Sequence, residues 1–452
     1  MREISPFDGR YADMVGHLGA YFSEHALMEA RCDVELAYLL ALDDTKLLPR
    51  LSKAERDRVR AAQGDLSDAE FARIKTIEKS TQHDVKACEL FLREKLKLAK
   101  PNLIHFGLTS EDVTNLAYGI LLARYRDQEE LPQLRRLVSV LADDAERWAA
   151  APFPGRTHGQ PASPTTFGKE LAVFVSRLVR QGQALESLRF RGKFAGATGT
   201  HAALAAAFSD YDWIAFSDRF VESLGLEPIA CSTQIDDGDG LAEYFGIASR
   251  LNGILLGLDI DMWEYISRGD VVQAAVAGEV GSSTMPHKVN PIQFENSEGN
   301  LVLSTALLHA LSDKLTHSRM QRDLSDSSVK RSIGVALAHA YLATEQTLKG
   351  LQRVSLDEDA AREHVEAAPE TLTEAYQTIL RAAGLEDPYE KLREASRGRA
   401  LGLSELHAWI ETLDVSADVK RRLLDLRPSD YVGLSAELAI RVVADARAWL
   451  AT

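Results

Sequence analysis

The sequence predicts an all-α fold built around a bundle of long helices. In two stretches, residues 171–188 and 251–266, apolar side chains recur at the spacing i, i+3, i+4, i+7, which places them on one face of a helix. A third stretch, residues 332–350, is rich in alanine and apolar on nearly every side, which is typical of a helix that is buried all round. Sustained alternation of apolar and polar residues, the pattern of a half-buried strand, is scarce. Helices longer than the average of about 11–12 residues favour a bundle architecture.

Composition divides the predicted helices into three domains. A lysine-rich helix ends before Pro101, which opens a new segment and marks the first boundary. The second boundary follows the buried helix, where the composition becomes charged. We therefore expect an N-terminal helical domain over residues 1–100, a central long-helix bundle over 101–351 with a polar loop at 281–296, and a C-terminal helical domain over 352–452.

The overall charge limits the classes of partner. The chain of 452 residues has a formal net charge of −15, which argues against nucleic acid or an anionic membrane surface as its main partner.

Its cysteines, Cys32, Cys88 and Cys231, are widely spaced and form no CxxC pair, so buried thiols in a reducing compartment are a better interpretation than disulfides or a zinc site. The N-terminus lacks the apolar core of a signal peptide, and no apolar stretch approaches the ~20 residues of a membrane span. These features predict a cytoplasmic protein without a metal site.

Crowded polar segments stand out against the apolar helices. One is GSSTMPHKVNPIQFENSEGN (281–300), which combines hydroxyl, imidazole, ammonium, amide and carboxylate groups with prolines that forbid a continuous helix. The others are SPFDGRY (5–11), STQHDVKACE (80–89), HFGLTSEDVTN (105–115), GRTHGQPASPTTFGKE (155–170) and SRMQRDLSDSSVKRS (318–332). Dispersed in a bundle core, unpaired polar groups would each cost about 1–3 kcal/mol. We therefore expect these segments to gather at a solvated pocket.

Each segment also has a purely structural interpretation. Thr109 or Ser110 can be the N-cap of a helix whose first turn carries acidic residues. Residues 155–170 can form a proline-rich loop in which Thr166 caps the next helix. A single histidine such as His83 is more often structural than catalytic. These interpretations are reasonable for each segment alone, but all of them would have to hold at once.

The segment GSSTMPHKVNP (281–291) fills every fixed position of the pattern Gly-Ser-Ser-x-Met-Pro-x-Lys-x-Asn-Pro. By this signature the chain resembles the fumarase/aspartase superfamily. By SPFDGRY, HDVKA, TSEDVTN, THGQPA, STQI and QRDLSDSSVKR it resembles the adenylosuccinate lyase family in its longer form. The resemblance implies an anti β-elimination of fumarate from a succinyl-amine without a cofactor. The implied substrates are adenylosuccinate, which gives AMP, and the succinylated aminoimidazole carboxamide ribotide (SAICAR, which gives AICAR), both in purine nucleotide biosynthesis.

The resemblance also implies catalytic roles for particular residues. Ser282 is the base that removes a proton next to a carboxylate, although the sequence leaves its neighbour Ser283 open for this role. His158 is the general acid that protonates the leaving nitrogen. Lys288 stabilises the carbanion, and Glu295 orients His158.

Substrate binding is assigned by the same resemblance. The implied contacts are Arg10, Tyr11, His83, Asp84, Thr109, Ser110, Gln234, Asn290, Arg322, Ser327 and Arg331. The arginines are expected to hold the nucleotide phosphate, because a guanidinium fork suits phosphate geometry. The residues DDGD (236–239), which follow Gln234, depart from the Pro-His pair of the longer form, so the implied contact at Gln234 is the weakest of the set.

The resemblance implies a homotetramer whose long helices merge into one multi-helix core and whose active sites combine segments of three subunits. One alternative is another lyase of the superfamily, such as argininosuccinate lyase, whose substrate has no phosphate. Another is a non-catalytic relative that keeps the helical scaffold.

Overall fold

A computed structural model of the chain describes residues 4–274, 285, 288–396 and 401–452. Its helices are α1 (Ala12–Val15), α2 (Gly19–Phe22), α3 (Glu24–Asp44), α4 (Lys53–Ala61), α5 (Asp68–Thr81), α6 (Asp84–Leu96), α7 (Ser110–Tyr125), α8 (Leu131–Arg147), α9 (Phe167–Ser187), α10 (Ala202–Ala207), α11 (Trp213–Ser223), α12 (Asp239–Arg268), α13 (Ile292–Leu315), α14 (Ser325–Lys330), α15 (Ile333–Leu351), α16 (Glu358–Glu366), α17 (Thr373–Ala382), α18 (Pro388–Ser396), α19 (Leu403–Glu411), α20 (Ala417–Asp425) and α21 (Ser435–Leu450). A π-helical turn, Arg126–Glu130, joins α7 to α8. In the described ranges no helix is both long enough and apolar enough to cross a membrane.

The strands are short and pair two by two. An antiparallel hairpin joins β1 (Pro152–Thr157) to β2 (Gln160–Thr166). A parallel pair joins β3 (Arg191–Gly192) to β4 (Glu227–Pro228), and an antiparallel pair joins β5 (Val271–Gln273) to β6 (Val354–Leu356). The predicted all-α class is therefore confirmed, and the three apolar stretches of the sequence lie in α9, α12 and α15.

Backbone contacts divide the chain into two discontinuous units. The first unit comprises Met1–Gln133, Gln181–Gly253 and Gly299–Ala343, and the second comprises Leu134–Arg180, Ile254–Glu298 and Thr344–Thr452. This division by contacts is not a division by sequence order, because α12, α13 and α15 each contribute one end to each unit. The three sequence domains remain a prediction.

Aromatic side chains form the centre of the first unit. Tyr38, Phe194, Phe216 and Phe220 are buried together, with the rings of Phe194 and Phe220 4.8 Å apart. The Tyr38 hydroxyl donates a hydrogen bond of 2.7 Å to the carbonyl oxygen of Phe106, so its polar atom is satisfied inside the core. Residues 28–104 add a smaller apolar cluster that packs α3, α5 and α6 together.

The second unit contains a buried carboxyl group between three long helices. Asp259 of α12 is 1% exposed, and Thr347 Oγ1 of α15 lies 2.8 Å from its Oδ1 and 2.9 Å from Ser297 Oγ of α13. Burial raises the pKa of Asp259 to about 8, although the two hydroxyl groups act in the opposite direction. Asp259 is therefore protonated in the folded chain at neutral pH.

We expect this carboxyl group to make stability depend on pH. The folded pKa lies above the ordinary value of 3.8, so the folded chain binds the proton more tightly than the unfolded chain. Its contribution to stability is therefore complete below the ordinary pKa and is lost as the pH rises towards 8, by at most about 1.4 kcal/mol per pH unit. Urea unfolding of Asp259→Asn at several pH values should show a smaller loss of stability between pH 5 and pH 8 than the wild type. The exposed Asp57→Asn should keep the wild-type slope, and an equal slope for Asp259→Asn would contradict the assignment.

Candidate active site

A polar cavity of about 280 Å³ lies within the first unit. Its lining includes six residues that the sequence analysis assigned to the substrate, namely His83, Asp84, Ser110, Arg322, Ser327 and Arg331. They come from the start of α6, the start of α7 and the segment around α14. Three of the six crowded polar segments thus meet at one pocket.

His83 sits at a reversal of the chain. Gln82 ends α5 in the left-handed conformation, with φ of 54°, and His83 is the N-cap of α6. Its Nδ1 accepts a hydrogen bond of 3.2 Å from the Lys86 N–H, and its Nε2 lies 3.4 Å from Ser110 Oγ. The cap fixes the ring, so the other ring nitrogen faces the hydroxyl group in the cavity.

Asp84 is held by an arginine that the sequence analysis did not select. Arg31 of α3 is 4% exposed, and its guanidinium lies 2.9 Å from Asp84 Oδ2. Burial acts against the charged form of Asp84, but Arg31 and the Val85 N–H outweigh it, so the pKa of Asp84 lies below its usual value. Asp84 is therefore ionised beside His83, and its charge is balanced by Arg31 and by Arg331, which lies 3.8 Å away.

Asp112 fixes the turn that carries Thr109 and Ser110. Its Oδ2 accepts a hydrogen bond of 2.9 Å from the Thr109 N–H. Its Oδ1 accepts hydrogen bonds from Lys193 Nζ at 2.6 Å and from the backbone N–H groups of Ala195 and Gly196 at 3.0 and 3.1 Å. Thr109 is therefore the N-cap residue of α7, and the carboxylate ties the start of this helix to the segment that follows β3.

Arg322 is already engaged by neighbouring side chains. It donates hydrogen bonds of 3.0 Å to Glu111 Oε1 and 3.3 Å to Gln234 Oε1. The Gln234 Nε2 group in turn donates a hydrogen bond of 3.0 Å to the carbonyl oxygen of Ala197. This bond leaves the amide oxygen of Gln234 facing the arginine. Burial raises the pKa of Glu111 above its usual value, although the nearby cations oppose this. Glu111 nevertheless lies 3.0 Å from Arg322 and 3.8 Å from Lys330, which places it as the counter-ion of both cations.

Lys330 is a second buried cation, which sequence reasoning missed. Its Nζ lies 3.1 Å from Asp236 Oδ2, 3.6 Å from Asp326 Oδ2 and 3.8 Å from Glu111 Oε2. In sequence it belongs to a run of arginine, serine and aspartate that resembles a solvated face. Asp326 lies on its own helix, but Asp236 is about 90 residues away along the chain and Glu111 is more than 200 residues away. No local pattern therefore marks Lys330 as buried.

Arg331 is the most accessible of the three arginines that line the cavity. It donates a hydrogen bond of 2.9 Å to Ser327 Oγ and one of 2.6 Å to the Ser327 carbonyl oxygen, and its side chain is 61% exposed. With His83, Ser110 and Ser327, it offers hydrogen-bond donors that suit an anionic ligand.

The N-terminal pair Arg10 and Tyr11 lies in the first unit but does not line this cavity. The Arg10 guanidinium lies 5.9 Å from the centre of the Tyr11 ring. Both residues precede α1, and Tyr11 is its N-cap residue.

The remaining predicted residues belong to the second unit. His158 occupies the tip of the β1–β2 hairpin, where Thr157 pairs with Gln160. His158 and Gly159 both have positive φ, 53° and 74°, as a two-residue turn of type I′ requires. The histidine is exposed at this tip.

The described part of the polar loop carries the other predicted catalytic groups. Lys288 donates its backbone N–H to the Met285 carbonyl oxygen at 3.0 Å, and Asn290 follows two residues later. Glu295 lies in the first turn of α13, where Trp263 Nε1 donates a hydrogen bond of 3.1 Å to its Oε1. Ser282 and Ser283 lie outside the described residues. Within the described ranges, no group of three or more His, Cys, Asp and Glu residues is arranged to hold a metal ion.

Comparisons with known proteins agree with this fold and show the family of the chain. Residues 9–305 match the lyase family, and residues 318–432 match the adenylosuccinate lyase C-terminal family. The chain is 42% identical to the adenylosuccinate lyase of Haemophilus influenzae, with 96% of this chain and 97% of that protein covered. It is 42% identical to the adenylosuccinate lyase of Escherichia coli strain K12, with 95% of this chain and 96% of that protein covered. It is 40% identical to the adenylosuccinate lyase of Dictyostelium discoideum, again with 95% of this chain and 96% of that protein covered.

Solved structures with lower identity share the fold. The 3-carboxy-cis,cis-muconate lactonizing enzyme of Pseudomonas putida superposes with a TM-score of 0.77 at 22% identity, with 96% of this chain and 97% of that one covered. A fumarate lyase of Mesorhizobium sp. BNC1 superposes with a TM-score of 0.78 at 19% identity, with 95% of this chain and 97% of that chain covered. The fold and the family match together define the class of protein, which is a lyase. The chain belongs, more narrowly, to the adenylosuccinate lyase family, as its sequence segments predicted.

Proposed function

We propose that this enzyme releases fumarate from adenylosuccinate by an anti β-elimination that needs no cofactor, giving AMP. The same reaction on SAICAR gives AICAR, so the enzyme serves purine nucleotide biosynthesis in the cytoplasm. The observation that carries the proposal is an identity of 42% over 96% of the chain to an adenylosuccinate lyase. The polar cavity supports it, because its guanidinium and hydroxyl groups suit a phosphorylated, carboxylated substrate.

The chemistry is divided between a base and an acid. Ser282 removes the proton next to a carboxylate, and Lys288 and Asn290 stabilise the negative charge that develops. A serine hydroxyl is a weak base in water, so desolvation and nearby donors must favour its alkoxide. His158 gives a proton to the leaving nitrogen, and Glu295 orients its ring.

The substrate is held at both ends. Arg331, Ser327 and Arg322 bind the phosphate, with Arg10 and Tyr11 at the nucleotide. Thr109, Ser110, His83 and Gln234 contact the succinyl part. Asp84 supports His83. Since Arg322 already has Glu111 as a counter-ion, phosphate binding exchanges one anionic partner for another.

We further propose that the active form is a homotetramer whose sites combine segments of three subunits. Large apolar side chains remain exposed on the long helices of the single chain, which supports burial by other copies. They include Ile260 and Trp263 on α12, Val302 and Leu303 on α13, and Val335 on α15. The three domains 1–100, 101–351 and 352–452 are the proposed folding divisions of each subunit.

The direct test is to mix the purified protein with adenylosuccinate and to follow fumarate. Production of fumarate and AMP in equal amounts is expected. A verified tetramer without turnover at neutral pH would contradict the proposal. Argininosuccinate, tested in parallel, distinguishes the alternative lyase from the proposed one.

Removing Arg331 should weaken binding of the nucleotide. Hydrogen bonds to charged groups contribute about 1.5–3 kcal/mol, so Arg331→Ala should raise KM for adenylosuccinate about 10- to 100-fold with a smaller change in kcat. Arg331→Lys keeps the positive charge but lacks the guanidinium fork, so its KM should lie between that of the wild type and that of Arg331→Ala. Arg322→Ala should act in the same direction. Arg319→Ala, whose side chain is 81% exposed, serves as the control, and an unchanged KM for the Arg331 variant would favour a substrate without phosphate.

A further inference from the structure

The hairpin that carries His158 is irregular at its middle. Phe153 pairs with Thr165 and Gly155 pairs with Ala162, so Ser163 and Pro164 on β2 oppose the single residue Pro154 on β1. This is a β-bulge, a device that bends a strand and changes the direction in which it continues. The bulge therefore sets the course of the hairpin between its base and its tip.

The base of the hairpin is fixed by the core of the second unit. Phe153 is 1% exposed, and its ring centre lies 4.9 Å from that of Tyr265 and 5.1 Å from that of Phe167. At the bulge the two strands approach so closely that a Cβ atom at Gly155 would lie 2.1 Å from the Ser163 carbonyl oxygen. Beyond this point, residues 156–160, which include His158, are exposed.

Two residues of the C-terminal region contact the hairpin at this bulge. The Ser163 hydroxyl donates a hydrogen bond to Glu374 Oε2, and the Tyr431 hydroxyl donates one of 2.9 Å to the same oxygen. These donors hold the pKa of Glu374 below its usual value, so the carboxylate is charged when it accepts them. Charge-assisted hydrogen bonds of this kind are stronger than neutral ones.

The Tyr431 side of this contact is itself tied down. Tyr431 follows a short 3₁₀ turn, Pro428–Asp430. The Ser429 N–H donates a hydrogen bond of 3.1 Å to Glu366 Oε1 at the end of α16. Glu374 lies in the first turn of α17. The clamp formed by Ser163, Glu374 and Tyr431 thus connects the hairpin to two separate elements of the C-terminal region.

We propose that this clamp is a positioning device for His158: it holds the hairpin that carries the histidine, whose ring Glu295 orients, and this positioning is a task of the C-terminal region. The inference rests on the proposed function, in which His158 donates the proton to the leaving nitrogen. Proton transfer requires an approach of about 2.6–3.2 Å. A displacement of about 1 Å caused by a change far from the chemistry can lower the rate as much as 10²-fold. A bulge left without its clamp allows such a displacement at the tip.

Variants that remove single groups of the clamp test the proposal. Ser163→Ala and Tyr431→Phe each delete one donor, and Glu374→Ala deletes the shared acceptor. Each is expected to lower kcat about 10-fold or more, with KM for adenylosuccinate changed less than twofold. Ser163→Thr retains the hydroxyl and should keep most of the activity. Tyr389→Phe, in α18 and half exposed, is the matched control and should resemble the wild type.

Combination with a histidine variant separates positioning from general stability. If the clamp acts through His158, Glu374→Ala added to His158→Gln should lower kcat no further than His158→Gln alone. A further loss of the same factor in the His158→Gln background would overturn the proposal, as would single variants with wild-type kcat. Thermal unfolding and light scattering establish that each variant is folded and assembled. If the wild type itself releases no fumarate, the proposed function fails; if it does and the clamp variants match it, only this inference fails.

Discussion

Replacing His158 by glutamine is expected to lower kcat for fumarate release by a factor of about 10²–10⁴, which is the usual contribution of a general acid. The expected change in KM is small, because the histidine acts on the leaving nitrogen in the transition state rather than on the bound ground state. His158 occupies the turn of a hairpin with φ of 53°, a conformation that glutamine can also adopt at moderate cost. Steady-state kinetics with adenylosuccinate give both parameters.

A matched substitution distinguishes the loss of an acid from the loss of any histidine. His25 of α3 lies 3.8 Å from Asp68, and its ring centre lies 5.0 Å from that of Phe71. The proposed function gives it no role, so His25→Gln should retain wild-type kcat. A His158→Gln enzyme that keeps more than a tenth of the wild-type kcat would assign the acid to another group. Circular dichroism and the oligomeric state should be equal in both variants.

Removing Asp112 is expected to cause the largest loss of stability. Asp112 and Lys193 are both fully buried and 2.6 Å apart. Deleting one partner of a buried ion pair typically costs about 3–5 kcal/mol, because the other charge stays buried without compensation. Asp112→Ala also deprives the N–H groups of Thr109, Ala195 and Gly196 of their acceptor. Urea unfolding should therefore show a midpoint well below that of the wild type.

The double variant Asp112→Ala with Lys193→Met isolates the charge from the lost hydrogen bonds. Burying methionine in place of an uncompensated lysine should recover part of the lost stability. Asp127→Ala, whose carboxylate is 54% exposed beside Arg126, is the control and should change stability by less than about 1 kcal/mol. If Asp112→Ala unfolds at the same urea concentration as this control, the buried pair does not have the importance assigned to it.

Helical periodicity was sufficient to predict the long helices but not the hairpin. The apolar spacing in 171–188, 251–266 and 332–350 matches α9, α12 and α15 closely, because packing on one or more sides imposes that spacing. The purely structural interpretation of residues 155–170 was a proline-rich loop with Thr166 as a cap. Thr166 Oγ1 does accept a hydrogen bond of 3.3 Å from the Lys169 N–H at the start of α9. The preceding residues nevertheless form β1 and β2, and their prolines, which are unusual within sheets, conceal the strands.

The candidate site could be predicted only where chemistry is concentrated in short segments. His83, Ser110, Arg322 and Arg331 were selected from such segments, and they line one cavity. Arg31, Glu111 and Lys330 were not selected, because each has a charged partner that is distant in sequence: Asp84 for Arg31, Arg322 for Glu111 and Asp236 for Lys330. The clamp at Ser163 escaped for the same reason, because Glu374 is 211 residues away.

In the proposed tetramer, we expect the base Ser282 and the acid His158 of one site to come from different subunits. Ser282→Ala and His158→Gln tetramers should each be nearly inactive with adenylosuccinate. Reversible dissociation of the two in mixture, followed by reassembly, should restore a fraction of wild-type fumarate release, because some mixed sites regain both intact groups. Mixed tetramers, verified by differential tagging, that remain as inactive as their parents would show that the two residues do not meet across subunits.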